Sequence, residues 1–153
     1  MTATSPTRDS RFPYSAHSVT ASPGRIEVAH VSDHLFAALV RGHELTVDEP
    51  VEAGGDNDGP TAVELFVTSL ASCAACDAVR FLRLLHLPYD QLRVEADFAT
   101  AQDGAPRLLS VRIRILLPAP LNPVLRETLC AVVGRCAVHN TLRVPPEVTV
   151  EFG

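Results

Sequence analysis

The stretch Gly54–Cys73, GGDNDGPTAVELFVTSLASC, decides the fold of this chain. It consists of an acidic glycine-rich loop, a proline, and a nearly uninterrupted apolar segment that contains a cysteine. Thr61 and Glu64 match a capping box, in which the threonine caps a helix start and the glutamate reaches back to it. They predict a helix that runs to about His86, just before a Leu-Pro step. Because its first two thirds are apolar on nearly every side, we expect this helix to be buried all round.

Shorter elements flank this helix on both sides. Alternating or short apolar segments predict six strands: Arg25–His30, Leu35–Val40, Glu44–Asp48, Gln91–Ala101, Leu109–Ile115 and Val148–Phe152. Asn122 and Pro123 predict a second helix, which ends at Gly134, and a short helical turn follows from Cys136. The resulting order, β-β-β-α-β-β-α-β, is that of an α+β domain.

Length and composition are those of a single globular domain. The 153 residues are 46% hydrophobic and 20% charged, which suffices for one core. Residues 1–22 are rich in Ser, Thr and Pro without periodicity, and predict an extended or disordered arm before a domain that spans residues 23–153.

Charge and residue usage exclude several functions. The net charge is −5 and all 13 basic residues are arginine, so lysine Schiff-base and P-loop lysine chemistry are excluded and nucleic acid is not an expected partner. No secretory signal is visible, and the most apolar run, 62–79, contains Glu64 and Asp77, so we expect no membrane partner and a cytoplasmic location. In that reducing compartment the four cysteines are expected to be thiols, metal ligands or a transient redox pair.

The loop Asp48–Gly59 is rich in Gly, Asp, Asn and Glu. Its carboxylates would repel a phosphate, and neither the P-loop pattern nor the EF-hand spacing is present. We therefore expect a solvated loop that leads into the helix.

Cys73 lies in the middle of the predicted helix. Helical spacing places Asp77 one turn further on and Arg80 on the turn after that. The arginine favours a reactive thiolate, whereas the carboxylate opposes it unless the arginine neutralises it. A buried structural thiol is the alternative reading of such a cysteine.

Cys136 follows the break at Gly134 and starts a Cys-Ala-Val-His segment. A cysteine at a helix start feels the positive end of the helix dipole, which favours the thiolate. Cys73 and Cys76 with Cys136 and His139 also form a C-x2-C…C-x2-H set typical of zinc. That set is disfavoured, because its first pair falls inside a long regular helix. Cys130 on the second helix is interpreted as core filling.

Two motifs together resemble the OsmC/Ohr family, the osmotically inducible protein C and organic hydroperoxide resistance proteins. The first is the block from Asp48-Glu49-Pro50 through Gly59-Pro60-Thr61 to Ser69-Leu70-Ala71-Ser72-Cys73. The second is the turn that begins at Cys136, which is similar to the family's Cys-Pro-Val-Ser turn. The predicted element order matches over residues 25–152.

This resemblance implies an OsmC-like fold with a long buried central helix, in an intertwined homodimer. It further implies a thiol-dependent peroxidase that reduces organic hydroperoxides, in which Cys73 forms a sulfenic acid and Cys136 resolves it as a disulfide. No bound cofactor is expected, because an external dithiol, such as a lipoyl group, would restore the thiols.

The sequence departs from the family pattern at several positions. Val63 stands where the active members have a glutamate, and Glu64 belongs to the capping box. The family's activating arginine corresponds to Arg25, Arg41 or, as a helical substitute, Arg80. The alternative function is therefore a catalytically weak dimeric module that binds an apolar small molecule or a partner.

Overall fold

The computed structural model describes residues 24–153, so the predicted arm at residues 1–22 lies outside the described residues. The described chain is an α+β fold of two antiparallel sheets and three α-helices, with these elements: β1 (Ile26–Ser32), β2 (Leu35–Val40), β3 (His43–Val47), α1 (Ala62–Leu84), β4 (Arg93–Thr100), β5 (Leu108–Leu116), α2 (Pro123–Val133) and α3 (Ala137–Arg143).

Strands β1, β2 and β3 form an antiparallel meander in the predicted order. Its two turns place Asp33 and Arg41 at positive φ, 41° and 50°, followed in the second turn by Gly42 at 80°. Pairing of Val28 with Ala38 and of Ala38 with Leu45 puts these apolar side chains on one face of the sheet. Ala38 is buried, yet Val28 remains 59% exposed. This face is therefore only partly covered by the described chain.

The loop between β3 and α1 is organised around a buried carboxylate. Asp48 is 2% exposed and accepts hydrogen bonds from the backbone N–H groups of Glu49, Asp56 and Asp58 at 2.8, 3.0 and 3.0 Å. A Cβ on Gly55 would collide with the Glu49 carbonyl oxygen. The backbone of this loop therefore wraps around the Asp48 carboxylate. The sequence predicted only a solvated loop and did not indicate this buried carboxylate.

Helix α1 begins with the predicted capping box. The Thr61 side chain accepts from the Glu64 N–H at 3.2 Å, and the Glu64 carboxylate accepts from the Thr61 N–H at 2.8 Å. The helix ends at Leu84, close to the predicted end. By length and composition α1 could also cross a membrane, a property shared by core helices of soluble proteins.

The prediction that α1 is buried on all sides is wrong for the described chain. Its fully buried residues form one stripe at helical spacing: Val67, Leu70, Ala74, Ala78 and Leu82. Helix α1 packs against α2, α3 and the β4–β5 hairpin. Phe66, to one side of the stripe, and Val63, at its N-terminal end, remain exposed. The helix is apolar on more sides than one chain covers.

The C-terminal half also departs from prediction at one element. The β4–β5 hairpin, the Asn122 cap of α2 and the short helix α3 are present as predicted. The predicted final strand Val148–Phe152 is wrong, because the segment pairs with no strand among residues 24–153. Phe152 is 98% exposed. The alternation that predicted a strand is real, but a strand also requires a partner edge.

Candidate active site

Cys73 is held in the middle of α1, beside the buried stripe. It directly precedes Ala74, which is fully buried, and lies one turn after Leu70, so its side chain is only partly accessible. The capping box fixes where α1 begins, and the regular helix from there fixes which face carries Cys73.

Cys136 is the N-cap residue of α3. Its backbone is extended (φ −62°, ψ 157°), and its Sγ accepts a hydrogen bond from the His139 N–H at 3.4 Å. The preceding turn is stabilised by the Asn140 side chain, which donates to the Arg135 carbonyl at 2.9 Å. Cys136 is 3% exposed. Its sulfur is therefore buried, and the N–H in the first turn of α3 holds it in place.

The structure brings the two sulfurs together. The Sγ atoms of Cys73 and Cys136 and a carboxylate oxygen of Asp77 all lie within 4.8 Å of one another. We call these three residues the thiol cluster. All four cysteines of the chain are reduced. A disulfide would require the two sulfurs to approach to about 2.05 Å.

The structure does not bring together the four possible zinc ligands considered from the sequence, which were Cys73, Cys76, Cys136 and His139. Among residues 24–153, the metal-ligating side chains that meet include Asp77 rather than Cys76 or His139. Cys76 is exposed and does not join this group. Cys130 is also exposed, so its interpretation as core filling is wrong.

Of the three arginines considered from the sequence, Arg80 is the one whose ion pair reaches the cluster. Its Nη1 lies 3.1 Å from Oδ1 of Asp77, as the helical spacing predicted. Arg25 instead forms a surface ion pair with Glu27 at 3.7 Å, and Arg41 occupies the β2–β3 turn. Within residues 24–153, the guanidinium of Arg80 therefore reaches the cluster through the carboxylate of Asp77.

The pKa of Cys136 is raised above its ordinary value, chiefly by burial. The hydrogen bond with Cys73 and the electrostatic interactions with Cys73 and Asp77 raise this pKa further, while the His139 N–H opposes them. The raised pKa favours the protonated form of the Cys136 thiol.

Glu64 is committed to the helix start. Glu64 forms hydrogen bonds with Thr61. It lies with Ala71 on the face of α1 that borders β4, where Val94 is a neighbour from that strand. This is a different face from that of the thiol cluster. Val63, the position where the resemblance implied a glutamate, is exposed.

An apolar groove of about 510 Å³ opens beside the site, a feature that sequence periodicity did not locate. Helix α1 contributes Phe66 and Leu70, β5 contributes alternate apolar side chains, and α2 and α3 contribute Val133 and His139. Leu70 and His139 each lie three residues from a cysteine of the cluster. The groove therefore borders both elements that carry the thiols.

The family of this chain follows from its sequence. Residues 55–151 match the family model of OsmC-like proteins, and the chain belongs to that family. No curated protein sequence shows a significant match to the chain.

Solved structures share the fold. A Psychrobacter arcticus protein described as an osmotic stress induced and detoxification response protein is 21% identical, with a TM-score of 0.73 over 81% of this chain and 91% of that chain. An organic hydroperoxide resistance protein OsmC from Legionella pneumophila is 15% identical (TM-score 0.63, coverage 81% and 91%). A Vibrio cholerae protein, described as an organic hydroperoxide resistance protein with captopril bound in one of the active sites, is 17% identical (TM-score 0.62, coverage 84% and 90%).

Proposed function

We propose that the protein is a thiol-dependent peroxidase that reduces organic hydroperoxides, with Cys73 as the attacking thiol and Cys136 as the resolving thiol. The observation that carries this proposal is the meeting of the two sulfurs within 4.8 Å. Family membership and the descriptions of the Legionella and Vibrio relatives support a peroxide-related role in stress defence.

The reaction has two balanced steps. The Cys73 thiolate attacks one peroxide oxygen, the O–O bond breaks, and the alkoxide takes up a proton and leaves as an alcohol, so that Cys73 becomes a sulfenic acid. The Cys136 sulfur then attacks the Cys73 sulfur, and water leaves as the disulfide forms. This intramolecular trap protects Cys73 from further oxidation. An external dithiol, such as a lipoyl group, returns both cysteines to thiols.

The surroundings of the two sulfurs support this division of roles. Cys136 is buried, and burial raises the pKa of its thiol, which suits a thiol that reacts second. Cys73 is the more accessible of the two. The ion pair between Asp77 and Arg80 offsets the negative charge that would otherwise oppose a thiolate at Cys73.

The apolar groove supports an organic peroxide as substrate. Its lining from α1, β5 and α3 suits the hydrocarbon body of such a peroxide, and Leu70 and His139 in that lining each lie three residues from a cysteine of the cluster. We further propose a cytoplasmic, homodimeric protein without a resident cofactor. The exposed apolar surfaces of α1 and of the β1–β2–β3 sheet support the dimer.

The test is turnover of cumene hydroperoxide with dithiothreitol or dihydrolipoamide as reductant. We expect peroxide consumption by the native protein and loss of at least 100-fold in Cys73→Ser, because the nucleophile is removed. Cys76→Ser, which changes an exposed thiol on the same helix, is the matched control and should retain activity. No consumption by the native protein, or equal losses in both variants, contradicts the proposal.

A second function is favoured by the groove and by Val63 at the family glutamate position: a catalytically weak dimeric module that binds an apolar small molecule or a partner. Cys73→Ser discriminates the two, because a binding module keeps its ligand whereas a peroxidase loses turnover. Binding of anilinonaphthalene sulfonate, followed by fluorescence, supplies the readout. Binding without peroxide turnover in the native protein supports this second function.

A further inference from the structure

The thiol cluster has the composition of a metal site as well as of a redox pair. Cys73 and Asp77 project from one face of α1 because they are one turn apart, and Cys136 meets them from the start of α3. Two thiolates with a carboxylate form a soft donor set that suits zinc and does not suit magnesium or calcium.

The distances fit a tetrahedral zinc ion. Zinc–sulfur bonds of about 2.3 Å place two thiolates about 3.8 Å apart, and zinc–oxygen bonds are slightly shorter. The three donor atoms already lie within 4.8 Å of one another. Their separations therefore exceed those of a tetrahedral zinc site by about 1 Å at most.

Two of the three donor groups already accept hydrogen bonds from neighbouring residues. Arg80 donates to Oδ1 of Asp77 at 3.1 Å, which orients the carboxylate. The His139 N–H donates to Sγ of Cys136 at 3.4 Å, a contact that a metal-bound thiolate retains. Outer contacts of this kind fix ligand orientation in metal sites.

We propose that the reduced protein binds one zinc ion through Cys73, Asp77 and Cys136, with the fourth position open to water. Binding releases the protons of the two thiols, and the Cys73–Cys136 disulfide eliminates the site because it consumes both sulfurs. The zinc site itself does not depend on the proposed peroxidase activity. If the protein is a peroxidase, zinc would occupy its attacking and resolving thiols and inhibit turnover reversibly.

Zinc binding is measured without peroxide, on full-length protein reduced and stripped of metal under anaerobic conditions. Isothermal titration calorimetry with zinc chloride is expected to give one site per chain. Cobalt substitution is expected to give thiolate charge-transfer and tetrahedral d–d absorption bands. Asp77→Asn should weaken binding at least tenfold, and Cys136→Ser should weaken it further. Cys76→Ser and Cys130→Ser, the exposed thiols, should bind as the native protein does.

The native chain itself provides a control that does not depend on folding of a variant. Protein oxidised to the Cys73–Cys136 disulfide should not bind zinc, and reduction should restore binding. Absence of a stoichiometric site in the reduced protein, or binding that survives in Cys73→Ser/Cys136→Ser, overturns the inference. Peroxide turnover in chelator is scored separately, so a zinc site without turnover refutes only the proposed function, and turnover without a zinc site refutes only this inference.

Discussion

Single residues set the chemistry of the two sulfurs, and the sequence revealed some of them better than others. Asp77 and Arg80 were placed beside Cys73 by helical spacing alone, and their ion pair is observed. The contact between Cys73 and Cys136 depends on how two distant elements pack, so helical periodicity could not supply it and the paired motifs were needed. Asp48 was missed, because its partners are backbone N–H groups that leave no mark in the sequence.

Asp48 makes a residue-scale prediction about pH. Its carboxyl pKa is held below the ordinary value of 3.8, first by the Asp58 N–H, with help from the N–H groups of Glu49 and Asp56 and from nearby His34, and against the effect of burial. A lowered folded-state pKa contributes stability that is complete above the unfolded-state pKa and is lost as pH falls through the folded-state pKa.

We therefore expect Asp48→Asn to lower the urea midpoint at pH 7, with the difference from native protein shrinking below pH 4. Asp56→Asn is the control, because that side chain is exposed and only its backbone N–H contributes. Equal stability of Asp48→Asn and native protein at pH 7, or a difference that widens in acid, would show that the buried carboxylate does not organise the loop.

At the scale of elements, local signals located the helices and strands, whereas burial needed the tertiary structure. The capping box and the Asn122 cap gave the starts of α1 and α2 correctly, because both are local hydrogen-bond patterns. The segment Val148–Phe152 has strand alternation but no partner strand within residues 24–153. Cys130 was taken as core because it lies on an apolar helix, and its exposed position could not be read from that pattern.

The capping box separates a structural from a catalytic role for Glu64. Thr61→Ala and Glu64→Ala should each reduce the free energy of unfolding by about 1 kcal/mol, because each removes hydrogen bonds at the start of α1. Peroxide turnover under folding conditions should stay within twofold of native in both variants. A tenfold loss of turnover in Glu64→Ala but not in Thr61→Ala would instead place the glutamate in the reaction.

At the scale of the whole molecule, many large apolar side chains of the described chain remain exposed. Apolar side chains remain exposed on α1, on one face of the β1–β2–β3 sheet and along the C-terminal segment. The apolar sequence of α1 predicts that the helix is buried, and one stripe of it is. The pattern does not show whether the remaining apolar side chains are covered by the same chain or by a second copy. Contiguous exposed apolar surface is a feature of protein–protein interfaces, which is the basis for proposing a dimer.

If the protein is the proposed dimer, we expect light scattering coupled to size-exclusion chromatography to give a mass of about twice 16.4 kDa. Val28→Asp should shift the protein toward monomer, because it places a charge on the exposed apolar face of the sheet. Leu39→Asp introduces the same charge on the opposite face of that sheet and should leave the dimer intact. A native protein that is monomeric at micromolar concentration would refute the dimer.

The most direct test of the redox account is mass spectrometry of the reduced protein after one equivalent of cumene hydroperoxide. We expect the loss of two hydrogen atoms and a single linked peptide pair joining Cys73 to Cys136, with sulfenic acid accumulating at Cys73 in Cys136→Ser. If Cys73 stays reduced, or if oxidation appears at the exposed Cys76 and Cys130 instead, the two sulfurs are neighbours without being a redox pair.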